Sequence, residues 1–234
     1  MHQRPACAGL FFTAHVGTWA VLHFGSMAQR QHHYERAFEA YLRQRRIPYV
    51  AVDEAKRVLL PEGGPALRLE IEGESAGGVR QVRVLKSFDF VIYGHGDAGN
   101  LLVDVKGRKI ARRVLAQRTP VGELMAPPPR TRLENWATLD DIESLRVWEG
   151  LFGAGFRGAL VFVYWCEEQP PDALFHEVFD FEGRWYAMRS VPVQAYESAM
   201  KVRSPRWRTV DLPVGVFDRI SQPLGPSWLG SVGA

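Results

Sequence analysis

Cysteine is scarce in this chain: Cys7 and Cys166 are the only two among 234 residues. They make no disulfide framework and match no spaced metal-binding pattern, so the expected location is a reducing cytoplasm. Long apolar runs are missing too. The stretch from Ala8 to Ser26 is apolar but broken by His15, Thr18 and His23. It fits neither a membrane helix nor a secretory core, although Met1-His2-Gln3-Arg4 gives a weakly basic start. No repeat or low-complexity tract is present. The formal net charge is only +3, so binding of a polyanion has to come from a local cluster rather than from the chain as a whole.

Apolar and aromatic residues are plentiful. Hydrophobic residues make up 46% of the chain, with seven Trp and thirteen Phe, enough to bury a sizeable core. The expected organisation is a single domain over residues 27–234 preceded by an extension over 1–26. Met27 stands immediately before the first strong helical pattern, so the extension reads as a loosely attached arm or a mis-assigned start; the alternative is an extra buried strand.

Two apolar runs, Ser87-Phe88-Asp89-Phe90-Val91-Ile92-Tyr93 and Leu101-Leu102-Val103-Asp104-Val105-Lys106, flank Gly94-His95-Gly96-Asp97-Ala98-Gly99-Asn100. The glycines, Asp and Asn supply the turn conformations of a β-hairpin. A loop of roughly four residues centred near Gly96-Asp97 sets Asp89 almost directly opposite Asp104, with Cβ atoms about 5 Å apart. Alternation then puts Leu102, Asp104 and Lys106 on one face and Leu101, Val103 and Val105 on the other. Opposed carboxylates repel. A divalent cation, a shared proton or the nearby ammonium would offset the repulsion, and a hard metal ion is the simplest of the three. A register shift of one residue would instead make these ordinary solvated strand positions.

Upstream, His33-Tyr34-Glu35-Arg36-Ala37-Phe38-Glu39 opens a pattern in which Tyr34, Ala37, Phe38, Tyr41 and Leu42 share one helical face, ended by Pro48. A helix is predicted over about 31–46, with Glu35 at the edge of the apolar face and Glu39 and Arg43 toward water. His32 and His33 point in different directions on such a helix, so a joint metal site is not expected.

The order Asp89, hairpin, Asp104-Val105-Lys106 resembles the PD-(D/E)xK nuclease superfamily, which includes restriction endonucleases, junction resolvases and repair nucleases; Phe88 stands where the superfamily often has Pro. The heptapeptide from His33 to Glu39 resembles the HYExAFE family, an uncharacterised bacterial group named for it. These resemblances imply an α/β fold, a mixed sheet flanked by helices with a restriction-endonuclease-like core. They also imply Asp89, Asp104 and Lys106 as catalytic residues and Mg²⁺ or Mn²⁺ as cofactor, held by Asp89, Asp104 and a glutamate of the first helix, for which Glu35 is the candidate. The alternative for Glu35 is a boundary residue paired with an arginine.

Strands are further predicted at 49–53, 57–60, 67–72, 79–93 and 101–109, and a helix from about Asp140 to Gly153. Ala159 to Trp165 is an uninterrupted apolar run expected in the sheet interior. A hairpin around Glu182-Gly183 joins strands at 175–181 and 184–189, and Pro192 begins a helix to about Val202.

Between residues 106 and 132, Lys106, Arg108, Lys109, Arg112, Arg113, Arg118, Arg130 and Arg132 face one acid, Glu123. Such a cluster gains affinity for phosphate backbones by counterion release. Lys201, Arg203, Arg206 and Arg208 surround Trp207 in a second cluster where a base could stack, unless Trp207 is a core residue. Candidate nucleic-acid contacts are thus Arg108, Lys109, Arg112, Arg113, Arg118 and Arg206. The function expected is a metal-dependent nuclease acting on nucleic acid, DNA in the first instance, in repair, recombination or defence, with no membrane partner and with a homodimer compatible. The alternatives are an inactive module of the same fold that binds nucleic acid or protein, and a metal enzyme of other chemistry.

Overall fold

The computed structural model describes residues 21–53, 70–74, 80–94, 99–110, 133–170, 175 and 177–224, with side chains from residue 33 onward except at 70–74 and 80–84. Cys7, most of the 1–26 extension, the strand expected at 57–60, the hairpin apex at 95–98, and the basic residues Arg112, Arg113, Arg118, Arg130 and Arg132 lie outside the described residues.

In chain order the elements are α1 (Val21–Gln44), β1 (Tyr49–Ala51), β2 (Glu70–Glu74), β3 (Arg80–Val84), β4 (Phe90–Ile92), β5 (Asn100–Ile110) and β6 (Ala137–Thr138). Next come α2 (Leu139–Phe152), β7 (Phe156–Cys166), β8 (Glu177–Phe181), β9 (Arg184–Pro192), α3 (Val193–Ala199), β10 (Lys201–Ser204), β11 (Thr209–Asp211) and α4 (Val214–Ile220). This is an α/β fold. A six-stranded mixed sheet runs in the order β1-β4-β5-β7-β9-β8, with β10-β11-β6 and β2-β3 forming two smaller sheets. Among the described residues, the β5–β7 pair of the large sheet is parallel and the other pairs are antiparallel. Among the described residues no helix is long and apolar enough to cross a membrane.

Strand β7 is interior because both of its faces are apolar. Leu160, Phe162 and Tyr164 pack with Ile142 and Leu145 of α2 and Val193 and Tyr196 of α3, whereas Ala159, Val161 and Val163 join Phe38 and Leu42 of α1. Helices therefore cover the sheet on both sides, as a parallel pair requires. Ala37, Phe38, Tyr41 and Leu42 are all buried on α1. Each large side chain so placed contributes about 2 kcal/mol, so the first helix is fixed firmly enough to position the residues one turn away.

Several local expectations are corrected. The first helix begins at Val21, well before residue 31, and closes at Gln44. Glu39 does not simply face water: its carboxylate takes hydrogen bonds from Arg43 at 2.6 Å and the Tyr49 hydroxyl at 2.7 Å. The strand expected over 79–93 is broken between Val84 and Phe90. There the Lys86 N–H donates to Ser144 Oγ at 3.1 Å and the Trp148 indole donates to Lys86 O at 2.8 Å, so the segment docks on α2 instead of continuing the ladder. The helix after Pro192 stops at Ala199 because Val202 pairs with Val210 and Ser204 precedes a proline, which disfavours helical backbone. The Glu182-Gly183 turn has φ of 51° and 70°, the left-handed pair that a tight hairpin needs.

Candidate active site

The hairpin centres where the loop residues place it, with Phe90↔Val103, Val91↔Leu102 and Ile92↔Leu101 as partners. One step further along this register Asp89 stands beside Asp104. The regular ladder stops there. Asp89 N–H bonds Val103 O at 2.8 Å, and the Asp89 carboxylate, through Oδ2, accepts the Val105 N–H at 2.6 Å. A side-chain oxygen thus satisfies a main-chain donor at the point where β5 runs past the end of β4. Beyond Val103, the freed edge of β5 borders a cavity of about 430 Å³ lined by Glu35, Asp89, Asp104, Lys106, Arg108 and Asp141, among others.

Lys106 follows Asp104 on the same face of β5 and binds two acids, Asp104 Oδ2 at 2.8 Å and Asp141 Oδ2 at 3.0 Å. Its side chain is only 16% exposed. Asp141 in turn accepts Lys86 Nζ on Oδ1 at 2.9 Å. Charges therefore alternate from Lys86 through Asp141 and Lys106 to Asp104. Asp141 and Lys86 line the same cavity and were not among the residues expected there from the sequence. Thr138-Leu139-Asp140-Asp141 does carry a signal, since Thr138 caps α2 by accepting Asp141 N–H while Asp141 accepts Thr138 N–H. That spacing is a capping box. The cap aims the Asp141 carboxylate at Lys106.

The ionisation of these groups follows from their neighbours. Burial, then the charge of Asp104, holds the Asp89 carboxyl well above its ordinary value, and Glu35 adds to the effect. Burial also raises Asp104, against the opposing pull of the Lys106 ammonium. For Lys106, burial acts downward, but Asp104 and Asp141 outweigh it and raise the ammonium's pKa. Asp141 goes the other way: burial would raise it, yet Lys106, Lys86 and Thr138 hold it far below the usual carboxylate range. The charged form is thus held most firmly at Asp141, whereas Asp89 and Asp104 carry carboxylate charge that their surroundings compensate less well.

Of the other expected site residues, Glu35 reaches the cavity wall from α1, on the opposite face of the sheet from α2. Among the described residues no three His, Cys, Asp or Glu side chains already stand in a metal-ligating array. Arg108 also lines the cavity. Its guanidinium donates to Gly107 O at 2.7 Å and to Trp136 O, and lies 4.0 Å from the Trp136 ring centre. Lys109 lies apart from the cavity, paired with Glu167 at 2.8 Å and resting over Trp165. Arg206 is exposed on the β10–β11 turn, 5.2 Å from the Trp207 ring centre. His33 hydrogen-bonds the Tyr186 hydroxyl at 3.1 Å and takes no part in the site. Cys166 is buried and free, its thiol pushed up to about 12 by burial.

Comparison with protein-family models, with curated proteins and with solved structures returned no match.

The donor chemistry fits a hard divalent cation. Among the described residues, Asp89 and Asp104 use one oxygen each on protein partners, and carboxylate oxygen donors suit Mg²⁺ or Mn²⁺. Burial is the main cause of their raised pKa values, with the charge of Asp104 adding to it at Asp89, and a bound cation would favour the charged forms of both.

Proposed function

We propose that this protein is a metal-dependent phosphodiesterase acting on nucleic acid, DNA in the first instance, with a core of the restriction-endonuclease kind. One observation carries the reading: Asp89 and Asp104 stand side by side at the end of the β4–β5 hairpin, with Lys106 next on the same face, all opening into one cavity. The order of these residues is the one that resembles the PD-(D/E)xK motif.

Asp89 and Asp104 would hold Mg²⁺ or Mn²⁺, with Glu35 as a further oxygen donor from α1. The ion, when bound, supplies Lewis acidity and lowers the pKa of water near the phosphate. Lys106 provides a fixed ammonium where negative charge develops on a scissile phosphate. Its two carboxylate partners keep it protonated and prevent the long side chain from sampling other rotamers. Asp141 is thus a positioning residue, and Lys86 holds Asp141.

The test is cleavage of single-stranded, duplex, flap and four-way-junction DNA and of RNA, with Mg²⁺, Mn²⁺ or EDTA. Asp89→Asn, Asp104→Asn and Lys106→Ala are each expected to lose at least about a hundredfold in rate, the scale of removing a charged group that acts in the transition state, and Glu35→Gln less. The aspartate variants should also lose metal affinity in a Mn²⁺ titration, whereas Lys106→Ala should keep it. A wild-type protein that binds no divalent ion and cuts none of these substrates would sink the proposal.

One observation favours a second reading. Because Lys106 is already paired with both Asp104 and Asp141, part of the charge is satisfied within the protein, as suits an inactive module that binds nucleic acid. Metal-dependent cleavage separates the two.

A further inference from the structure

Trp207 is 68% exposed on the turn between β10 and β11, and Val202 of the same hairpin is 70% exposed. The segment from Lys201 to Arg208 reads Lys-Val-Arg-Ser-Pro-Arg-Trp-Arg, four cations without an acid. Burial is the ordinary fate of a tryptophan. Here the ring is left in water on a turn that is firmly braced. Arg208 pairs with Asp140 at 3.0 Å and Glu143 at 3.6 Å, its carbonyl accepts the Leu139 N–H at 2.7 Å, and Trp207 N–H reaches Ser204 Oγ at 3.4 Å. The turn is thus tied to the first residues of α2, the helix that supplies Asp141.

The hairpin is also continuous with the cavity. Thr209 pairs with Thr138 and Val210 with Ala137, and both Thr138 and Trp136 line the cavity. Arg203 lies 5.6 Å from the Trp136 ring centre, and Arg108 lies 4.0 Å from the same ring. Trp207 is two residues from Thr209, so at about 3.3 Å per residue its backbone stands within one or two nucleotide spacings of the cavity wall. Cations and rings run from Lys106 and Arg108 through Trp136 and Arg203 to Arg206 and Trp207.

We infer that the β10–β11 hairpin is a stacking platform that receives an unpaired base of a single-stranded nucleic acid, on Trp207, as the strand's phosphates pass toward the cavity. As a statement about the substrate of that cavity, this rests on the proposed phosphodiesterase. An indole can stack only on a base whose face is open, which a single strand offers and an intact duplex does not. Arg203 and Arg206 supply the charge that tracks a backbone. The braced turn lowers the ordering cost of presenting the ring.

The test uses the full chain in EDTA, with fluorescence anisotropy of a labelled oligothymidylate and of a duplex of equal length. Trp207→Ala should weaken oligothymidylate binding about tenfold, the scale of one lost base–aromatic stack, with the melting temperature and the salt dependence unchanged. Trp207→Phe should keep most of the affinity. Duplex binding should change less than about twofold, since no stack is lost there. Arg206→Ala should lower the single-strand salt slope by about 0.7. Equal affinity of wild type and Trp207→Ala, or an equal loss on duplex and single strand, overturns the platform. So does Trp207-dependent binding to phosphatidylserine vesicles by a protein that ignores oligothymidylate. Because metal and cleavage play no part in this measurement, Trp207-dependent single-strand binding by a protein that cuts nothing would uphold the platform while the catalytic reading falls. Cleavage that continues with KM unaltered in Trp207→Ala would do the reverse.

Discussion

The ring of Tyr34 occupies the space where Gly107 has no side chain: a Cβ built on Gly107 would lie 2.1 Å from the Tyr34 ring. Tyr34 belongs to the heptapeptide of the first helix, and Gly107 directly follows the Asp104-Val105-Lys106 run. The close approach of α1 to β5 at this point is what sets Glu35, the next residue along, at the cavity.

Gly107→Ala should therefore destabilise the protein by about 1 to 3 kcal/mol, the range of overpacking. The same substitution in a Tyr34→Ala background should cost much less, because the obstructing ring is gone. Urea unfolding of the four proteins of this cycle gives the coupling, and additive effects would show that the contact does not govern the approach.

Asp89 and Asp141 should shape stability in opposite pH ranges. The folded-state pKa of Asp89 is raised above the ordinary 3.8, so its contribution is fully present below that value and is lost as pH rises through the raised one. Asp141 is lowered from the same ordinary value, so its contribution is present above that value and is lost as pH falls toward the lowered one. In EDTA at neutral pH, Asp89→Asn should melt above wild type, and the advantage should vanish toward pH 4. Adding Mn²⁺ at neutral pH should raise the melting temperature of wild type and leave that of Asp89→Asn unmoved. Thermal melts across pH, with and without Mn²⁺, give both comparisons.

Asp141→Asn removes one of the two carboxylates on Lys106 and the carboxylate that pairs with Lys86 among the described residues. Lys106 keeps Asp104, and the Lys86 side chain is 46% exposed, so the protein should stay folded with a modest loss of stability. The Lys106 ammonium should then lose its proton at lower pH, because only Asp104 still opposes burial. In the pH–rate profile of the proposed cleavage, the alkaline limb should move to lower pH, which a merely structural role would not produce. Asp141→Glu should restore part of it.

Arg108→Lys preserves charge but not geometry. The lysine cannot donate to both Gly107 O and Trp136 O or lie flat on the indole, so stability should fall by about 2 kcal/mol, the cost of leaving a buried carbonyl unpaired. The salt dependence of nucleic-acid binding should stay as it is, since the number of cations is unchanged. Unchanged stability would show that the two carbonyl contacts do not hold Arg108 in the wall.

The hairpin that carries Asp89 and Asp104 was legible because its signals are local: turn residues between two apolar runs, and alternation that separates Asp104 and Lys106 from Val103 and Val105. The interior position of β7 was legible for a similar reason, an apolar run too even for a one-sided strand. The break at residues 85–89 was not, because it depends on Ser144 and Trp148, far away in sequence. Asp141 escaped notice because a capping residue looks alike whether its carboxylate meets water or a lysine. The β10–β11–β6 sheet was hidden by brevity: Ala137–Thr138 is two residues long, too short for alternation to register.

The parallel ladder of β5 and β7 joins Asn100 to Phe156 and Ile110 to Cys166, and so closes only after the whole intervening segment has been synthesised. The β4–β5 hairpin, by contrast, pairs residues close in sequence. During translation Asp89 and Asp104 can therefore meet before Asp141 has left the ribosome, when Lys106 has only one of its two partners. Contacts between distant residues form slowly, so repulsion between the two carboxylates acts on this hairpin before α2 has docked. Divalent cations present during refolding would then act on the rate of the first step as well as on the stability of the last.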